Sequence, residues 1–509
     1  MTSQPNQSVR DIVIVGGGTA GWMTAAALSK KFSASDLKIT LIESAEIGTV
    51  GVGEATLPQI REFNQMLEIP DAELMARTAA TIKLGIEFCD WGKEGDRYIH
   101  PFGVHGDTIG PADFHHYWVR ANEFGNAGDF GSYSLPIEAA RDDRFDLPPN
   151  DPASAHMAYS YAFQFDASLY AAFLADFAKS LGVERVEGKI VSVETQSDNG
   201  FIRAAELESG EQVTGELFID CSGFRGLLIE QELQTGFEDW SRYLPCNRAF
   251  AVPCKTNGPI GPYTRSTARS AGWQWRIPLQ HRIGNGHVYC NDYISDQDAQ
   301  DMLMQNLEGE AIAEPKQLFF QTGKRNKLWN KNCIAIGLSG GFLEPLESTS
   351  IDLIQSGILN LIALFPEKQC AAVDADEYNR VMDLEYERVR DFLMLHYVAN
   401  QREKPFWKDM REMEWPDSLR EKVDAFKQRG LVPKYDHGLF QPASWLSVFV
   451  GQNILPESYD IRTDQLSEKE LANSLRAIQS DIENSVRQMS SHTDYIKEAG
   501  GTFAGAGIK

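Results

Sequence analysis

The sequence is short of basic residues and lacks any paired-cysteine or paired-histidine spacing. Against 72 Asp and Glu stand only 48 Lys and Arg, a net charge of −24. A surface that acidic repels phosphate backbones and anionic lipid, which argues against nucleic-acid partners. The seven cysteines are odd in number and scattered, with no CxxC pair. Such spacing encodes neither a disulfide framework nor a zinc site. The ten histidines give no HxxxH or HExxH motif, although His115 and His116 are adjacent. No structural metal is expected. No apolar run approaches the ~18 residues of a membrane helix. The first residues show no charged segment followed by an apolar stretch and a small-residue cleavage site. Repeats and low-complexity linkers are missing too. The expectation is a reduced, cytoplasmic chain that does not enter membranes.

At 509 residues and 42% hydrophobic content, the chain can bury a large core and is too long for one compact unit. It opens as a βαβ unit. Asp11 to Val15 is a β-branched run suited to a buried parallel strand. Gly16-Gly17-Gly18-Thr19-Ala20-Gly21 follows, and Trp22 to Lys30 reads as a helix. A second strand, Lys38 to Ile42, ends at Glu43. Later pieces read the same way: strands at Lys189–Val193, Ile202–Leu207 and Leu217–Asp220, then Cys333–Gly337 running into an apolar helix over Ile351–Phe365. From about Asp374 the chain becomes helical. Ser467 and Glu470 form a capping box ahead of a helix running towards Tyr495. The tail from Gly500 reads as frayed.

Gly16, Gly18 and Gly21 form a GxGxxG fingerprint with a strand before it, a helix after it and an acid, Glu43, at the next strand end. That context seats a pyrophosphate on the helix N-terminus beside Thr19 and Ala20, with Glu43 accepting hydrogen bonds from a ribose. Gly53-Glu54-Ala55, within Gly51 to Thr56, resembles the loop that flavin monooxygenases pass over FAD. Phe218 to Arg225 and the Gly337–Leu338 region resemble two later flavin-contacting stretches of that fold. No second nucleotide fingerprint is present, so the flavin is expected to be reduced elsewhere.

Trp273-Gln274-Trp275-Arg276-Ile277-Pro278 places two indoles on one face of a strand that proline terminates. Together with GxGxxG and Gly341-Phe342-Leu343-Glu344-Pro345-Leu346-Glu347-Ser348-Thr349-Ser350, this string resembles the flavin-dependent tryptophan halogenase family. The resemblance runs from Val13 to about Phe449. It implies an α/β fold: a Rossmann-like FAD-binding domain of flavin monooxygenase type over 8–370. A β-rich substrate region, about 85–165 and 235–325, interrupts that domain, and a helical C-terminal lobe occupies 371–509.

By the same resemblance, Lys83 and Glu347 are catalytic and the amides of Thr349 and Ser350 hold halide. His100, Phe102 and Trp445 meet the substrate, while Trp273 and Trp275 wall off the flavin. The implied reaction uses FADH2 from a separate flavin reductase, O2 and chloride or bromide to make hypohalous acid. Lys83 delivers the halogen and Glu347 takes the arene proton. Ser350 stands where the family has glycine, so strain is expected there if the position requires positive φ. Ser444 to Gly451 offers no tyrosine pair to anchor an amino acid, which favours an indole over free tryptophan as the small aromatic partner. A homodimer is compatible with these readings. The alternatives are a flavin monooxygenase that hydroxylates an aromatic, and a non-catalytic flavin-binding protein.

Overall fold

The computed structural model describes residues 8–44, 53–435 and 438–500. The expected loop residues Gly51 and Val52, and the tail from 501, lie outside them. The six-stranded sheet runs in the order Trp329–Asn330, Cys333–Ala335, Leu217–Asp220, Asp11–Val15, Lys38–Glu43, Glu184–Glu187. All neighbours are parallel except the edge strand Trp329–Asn330. Ile12 to Val15 is buried on both faces, as a β-branched parallel strand covered by helices should be.

The helix Thr19–Lys31 packs against this sheet, and its Ala25, Ala26, Ala27 and Leu28 are fully buried. The helix Ser350–Ala363 packs against it. A seven-stranded sheet combines Gly85–Cys89 and Arg97–Pro101 with strands drawn from Arg248 to Phe319. Gly272–Pro278 lies between Tyr263–Arg269 and Ile283–Tyr289 in this sheet, and Pro278 is its last residue. Between 85 and 165 only the flanking segments are mainly strand; Phe114–Glu123 and Leu135–Arg141 are helices.

A third, small sheet sets the chemistry. Ala162–Asp166 pairs with Gly53–Ala55 on one side and Thr81–Lys83 on the other. The free edge of Thr81–Lys83 is closed by His492, whose Nε2 accepts the Ile82 N–H at 3.1 Å. His492 Nδ1 lies 2.7 Å from the Ile260 carbonyl, so a neutral ring bridges two backbones.

The C-terminal part is helical and led by Ala372–Val398. The expected capping box forms at Ser467 and Glu470. The helix after it does not run on to Tyr495. It ends at Gln488, Ser490–Ser491 pairs with Arg144–Phe145, and a new helix spans His492–Glu498. The break has a local cause: the Ser491 hydroxyl accepts from the Asp494 N–H and caps the second helix. All seven cysteines are free and buried. Among the described residues no helix is long and apolar enough to cross a membrane, and no cluster of His, Cys, Asp or Glu is placed to hold a metal ion.

Candidate functional site

At the carboxyl ends of the parallel strands a cavity of about 720 Å³ opens. That is a volume typical of cofactor sites, in the position that ligands occupy in open α/β sheets. The three fingerprint glycines differ in what they do. Gly16 has φ +114°, and a Cβ there would fall 2.2 Å from the Cys221 carbonyl oxygen. A Cβ on Gly21 would fall 1.8 Å from the Gly16 carbonyl. At Gly18 a Cβ would meet nothing within 4 Å, because that position faces the cavity. These are the turn, the close helix–strand approach and the cradle that a pyrophosphate requires. Thr19 and Ala20 continue the lining at the helix N-terminus, and Gly53, Glu54 and Ala55 line it from the small sheet. Burial pushes the Glu54 carboxyl up to about 7. Gly337 and Leu338 complete another side.

Glu43 reaches the cavity with both oxygens engaged. The Trp22 indole N–H donates to Oε2 at 3.3 Å, and the Arg185 guanidinium donates to Oε1. Arg185 also lines the cavity and was not apparent in the sequence, because it lies on Glu184–Glu187, paired with Glu43 only through the sheet. This set fits FAD: an extended cavity, a glycine cradle at a helix N-terminus and an acid at the second strand end.

Trp273 and Trp275 both line the cavity, with ring centroids 6.2 Å apart. Trp273 is buried and donates its indole N–H to Glu344 Oε2 at 2.8 Å; Trp275 is half-buried. Opposite lies the turn Pro345–Glu347, followed by Ser348 at φ +60°. The positive φ therefore falls on Ser348. Ser350 is the first residue of the helix Ser350–Ala363, so the strain expected there does not arise. Thr349 is fully buried, and Ser350 lines the cavity at the helix N-terminus, where the first N–H groups lack intrahelical partners.

Ser348 also looks the other way. Its hydroxyl accepts from Lys83 Nζ at 2.8 Å, and Lys83 donates a second bond to the Thr56 carbonyl at 2.9 Å. Lys83 is 0% exposed, with Nζ 5.2 Å from the Phe102 ring centre. Burial pulls its ammonium down to about 7, against the opposing pull of Glu347.

Glu347, also 0% exposed, sits between two histidines. His100 Nδ1 is 2.8 Å from Oε2. His396 Nε2 is 2.8 Å from Oε1, though off the line of a well-formed hydrogen bond. Burial alone would raise this carboxyl, but the two imidazoles outweigh it and hold it near 2. His100 was expected to offer a stacking face; its ring is buried, meeting Phe392 edge-on at 5.6 Å and lying 6.3 Å from the Phe440 ring. Trp445 is buried on the helix Pro442–Gly451 and meets Phe392 edge-on at 5.2 Å. Neither His396 nor Tyr397, which binds Glu344, stood out in the sequence. A histidine inside Phe392-Leu393-Met394-Leu395-His396-Tyr397-Val398 reads as a core residue.

The family model described as tryptophan halogenase matches residues 11–468. The chain is 37% identical over 468 residues to the tryptophan 6-halogenase SttH of Streptomyces toxytricini, covering 86% of this chain and 88% of that protein. Its fold is similar to BrvH, a flavin-dependent halogenase from Brevundimonas sp. BAL3, with a TM-score of 0.94 and 44% identity over 97% of this chain and 100% of that one. Xcc4156, a flavin-dependent halogenase from Xanthomonas campestris, matches with a TM-score of 0.94 and 45% identity, covering 98% and 100%.

Proposed function

The chain belongs to the tryptophan halogenase family, and on that premise we propose that this flavin-dependent halogenase takes reduced FAD from a separate reductase and halogenates an indole in preference to free tryptophan. The carrying observation is a division of space. Ser348 lines the flavin cavity and accepts from Lys83, whereas Lys83, His100 and Glu347 lie buried beyond that cavity. A substrate held among them cannot touch the isoalloxazine, which prevents direct oxygenation.

FAD would lie along the Gly18 cradle with its ribose at Glu43 and its ring beside Trp273, Trp275 and the Gly53–Ala55 strand. Reduced flavin with O2 supplies the oxidising power that turns chloride or bromide into hypohalous acid. The amides of Thr349 and Ser350 hold the halide, where a helix N-terminus favours an anion. Lys83 receives the hypohalous acid. As an ammonium it hydrogen-bonds the oxygen; as a free amine it takes the halogen as the HO–X bond breaks and water leaves, giving a haloamine, and a group held near 7 has both forms at hand. Glu347, held ionised by its histidines, takes the proton from the halogenated arene.

Substrate choice follows from the helix Pro442–Gly451. It carries no charged side chain, and the Ser447 hydroxyl is bonded to the Ala443 carbonyl of its own helix. Free tryptophan would have to find partners for two charges, and each unmet hydrogen bond costs ~1–3 kcal/mol. Indole carries neither charge and stacks on His100, Phe102 and Trp445. A loosely held ring reacts at its most nucleophilic pyrrole carbon.

One observation favours the second reading, free tryptophan. Lys422 lies 5.2 Å from the Trp445 ring centre and 3.1 Å from Asp391, so charges of both signs stand near the ring. They already satisfy one another, and Ser418 adds a further bond to Asp391. Comparing kcat/KM for indole and tryptophan, with saturating reduced FAD and bromide, separates the two: indole ahead is expected, and tryptophan ahead refutes the preference.

A further inference from the structure

Two consecutive residues of the helix Ala372–Val398 reach both glutamates of the Glu344-Pro345-Leu346-Glu347 turn. His396 approaches Glu347, and Tyr397 donates its hydroxyl to Glu344 Oε2 at 2.5 Å. That same oxygen accepts the Trp273 indole N–H at 2.8 Å. Glu344, Tyr397 and Trp273 are buried, and the buried Cys246 thiol also hydrogen-bonds the Glu344 carboxyl. Of the three, only Trp273 faces the flavin cavity. Pure packing does not call for a carboxyl here. Burying a carboxyl is costly even when it is hydrogen-bonded, and an apolar residue of similar size would avoid the cost.

We propose that Glu344 is a positioning residue for the halogenation reaction: by accepting from Trp273 and Tyr397 together, it fixes the flavin-side wall to the helix that also holds Glu347. The wall and the proton acceptor are then set by one rigid element, so hypohalous acid leaving the cavity meets Lys83 rather than solvent. This inference rests on the roles given above to Trp273, Lys83 and Glu347. Burial pushes the Glu344 carboxyl up to about 7, and in either protonation state Oε2 remains an acceptor for both donors. A glutamine can reproduce those two bonds; a leucine cannot.

The test compares wild type with Glu344→Leu, Glu344→Gln and Tyr397→Phe. The assay contains FAD, a flavin reductase, NADH, bromide, indole and a β-diketone that captures free hypohalous acid. For Glu344→Leu we expect FAD affinity and O2 consumption within about twofold of wild type. Bromoindole formed per O2 should fall about tenfold, with a matching rise in brominated trap. Glu344→Gln should recover to within about threefold because the amide oxygen accepts both donors. In flavin-free protein, the emission assigned to Trp273 by difference against Trp273→Phe should shift in Glu344→Leu and not in Glu344→Gln. If Glu344→Leu does not fold, Tyr397→Phe carries the test, with leakage to the trap expected above wild type. Wild-type partition in Glu344→Leu, or in Tyr397→Phe when the leucine variant does not fold, overturns the proposal; so does unshifted Trp273 emission. Wild type yielding neither bromoindole nor brominated trap would instead refute the halogenase reading, a result distinct from altered partition in a variant.

Discussion

Lys83→Met should abolish halogenation while costing the fold almost nothing. Methionine matches the length of the buried stem and removes only the amine. In the wild type, burial lowers this group from 10.5 to about 7. At 1.36 kcal/mol per unit, that shift weighs roughly 5 kcal/mol against folding at neutral pH. Removing the amine relieves this cost but leaves the Thr56 carbonyl and Ser348 hydroxyl without their donor, at ~1–3 kcal/mol each. The balance lies between about 1 kcal/mol lost and 3 kcal/mol gained. The sign also shows in pH. Between about 7 and 10.5 the unfolded wild-type chain binds a proton that the folded chain sheds, so its stability rises with pH through that window. The variant should lack this rise. The assays are chemical denaturation at pH 7 and pH 9.5, FAD binding, and product formation from indole. Product at near wild-type rate, or a stability loss well above about 1 kcal/mol, would show that Lys83 is structural and refute the reasoning.

Glu347→Gln removes the proton acceptor but keeps its shape, so product formation should fall at least about 100-fold, with FAD affinity unchanged in a fluorescence titration. Gly18→Val should fold, because Gly18 is extended and a Cβ there meets no protein atom, yet lose FAD; retained affinity would contradict the N-terminal cradle. His492→Leu should destabilise the protein by roughly 2–6 kcal/mol, as the Ile82 N–H and Ile260 carbonyl lose their partner. Burial holds the His492 ring near 4, so below about 6.5 the unfolded chain takes up a proton that the folded ring refuses and wild-type stability falls with acid. Denaturant midpoints at pH 5 and pH 7 should show less of that acid sensitivity in His492→Leu.

What was legible in the sequence is what local spacing encodes. The glycine fingerprint, the indole pair closed by Pro278 and the apolar helix beginning near Ile351 depend on neighbours within a few residues, and Glu43 on its place in the same βαβ unit. The remainder arises from contacts between distant segments. Arg185 meets Glu43 across 142 positions, and His492 meets Ile82 across 410. His396 and Tyr397 look like ordinary core residues until the helix that carries them is laid against the Glu344–Glu347 turn. Ser348 and Ser350 illustrate the same limit at short range: the chain had to be folded to show that the left-handed residue comes just before the helix rather than within it.

The central claim is that a flavin-derived oxidant acts on halide in one space and the arene is halogenated in another. The most direct test is mass spectrometry of an arene panel incubated with the protein, FAD, a flavin reductase, NADH, O2 and either chloride or bromide. The account predicts indole products carrying one halogen with its isotope pattern, formed only when halide is present and lost in Lys83→Met. A product one oxygen heavier than its substrate, formed without halide, would contradict it and identify the protein as an aromatic hydroxylase.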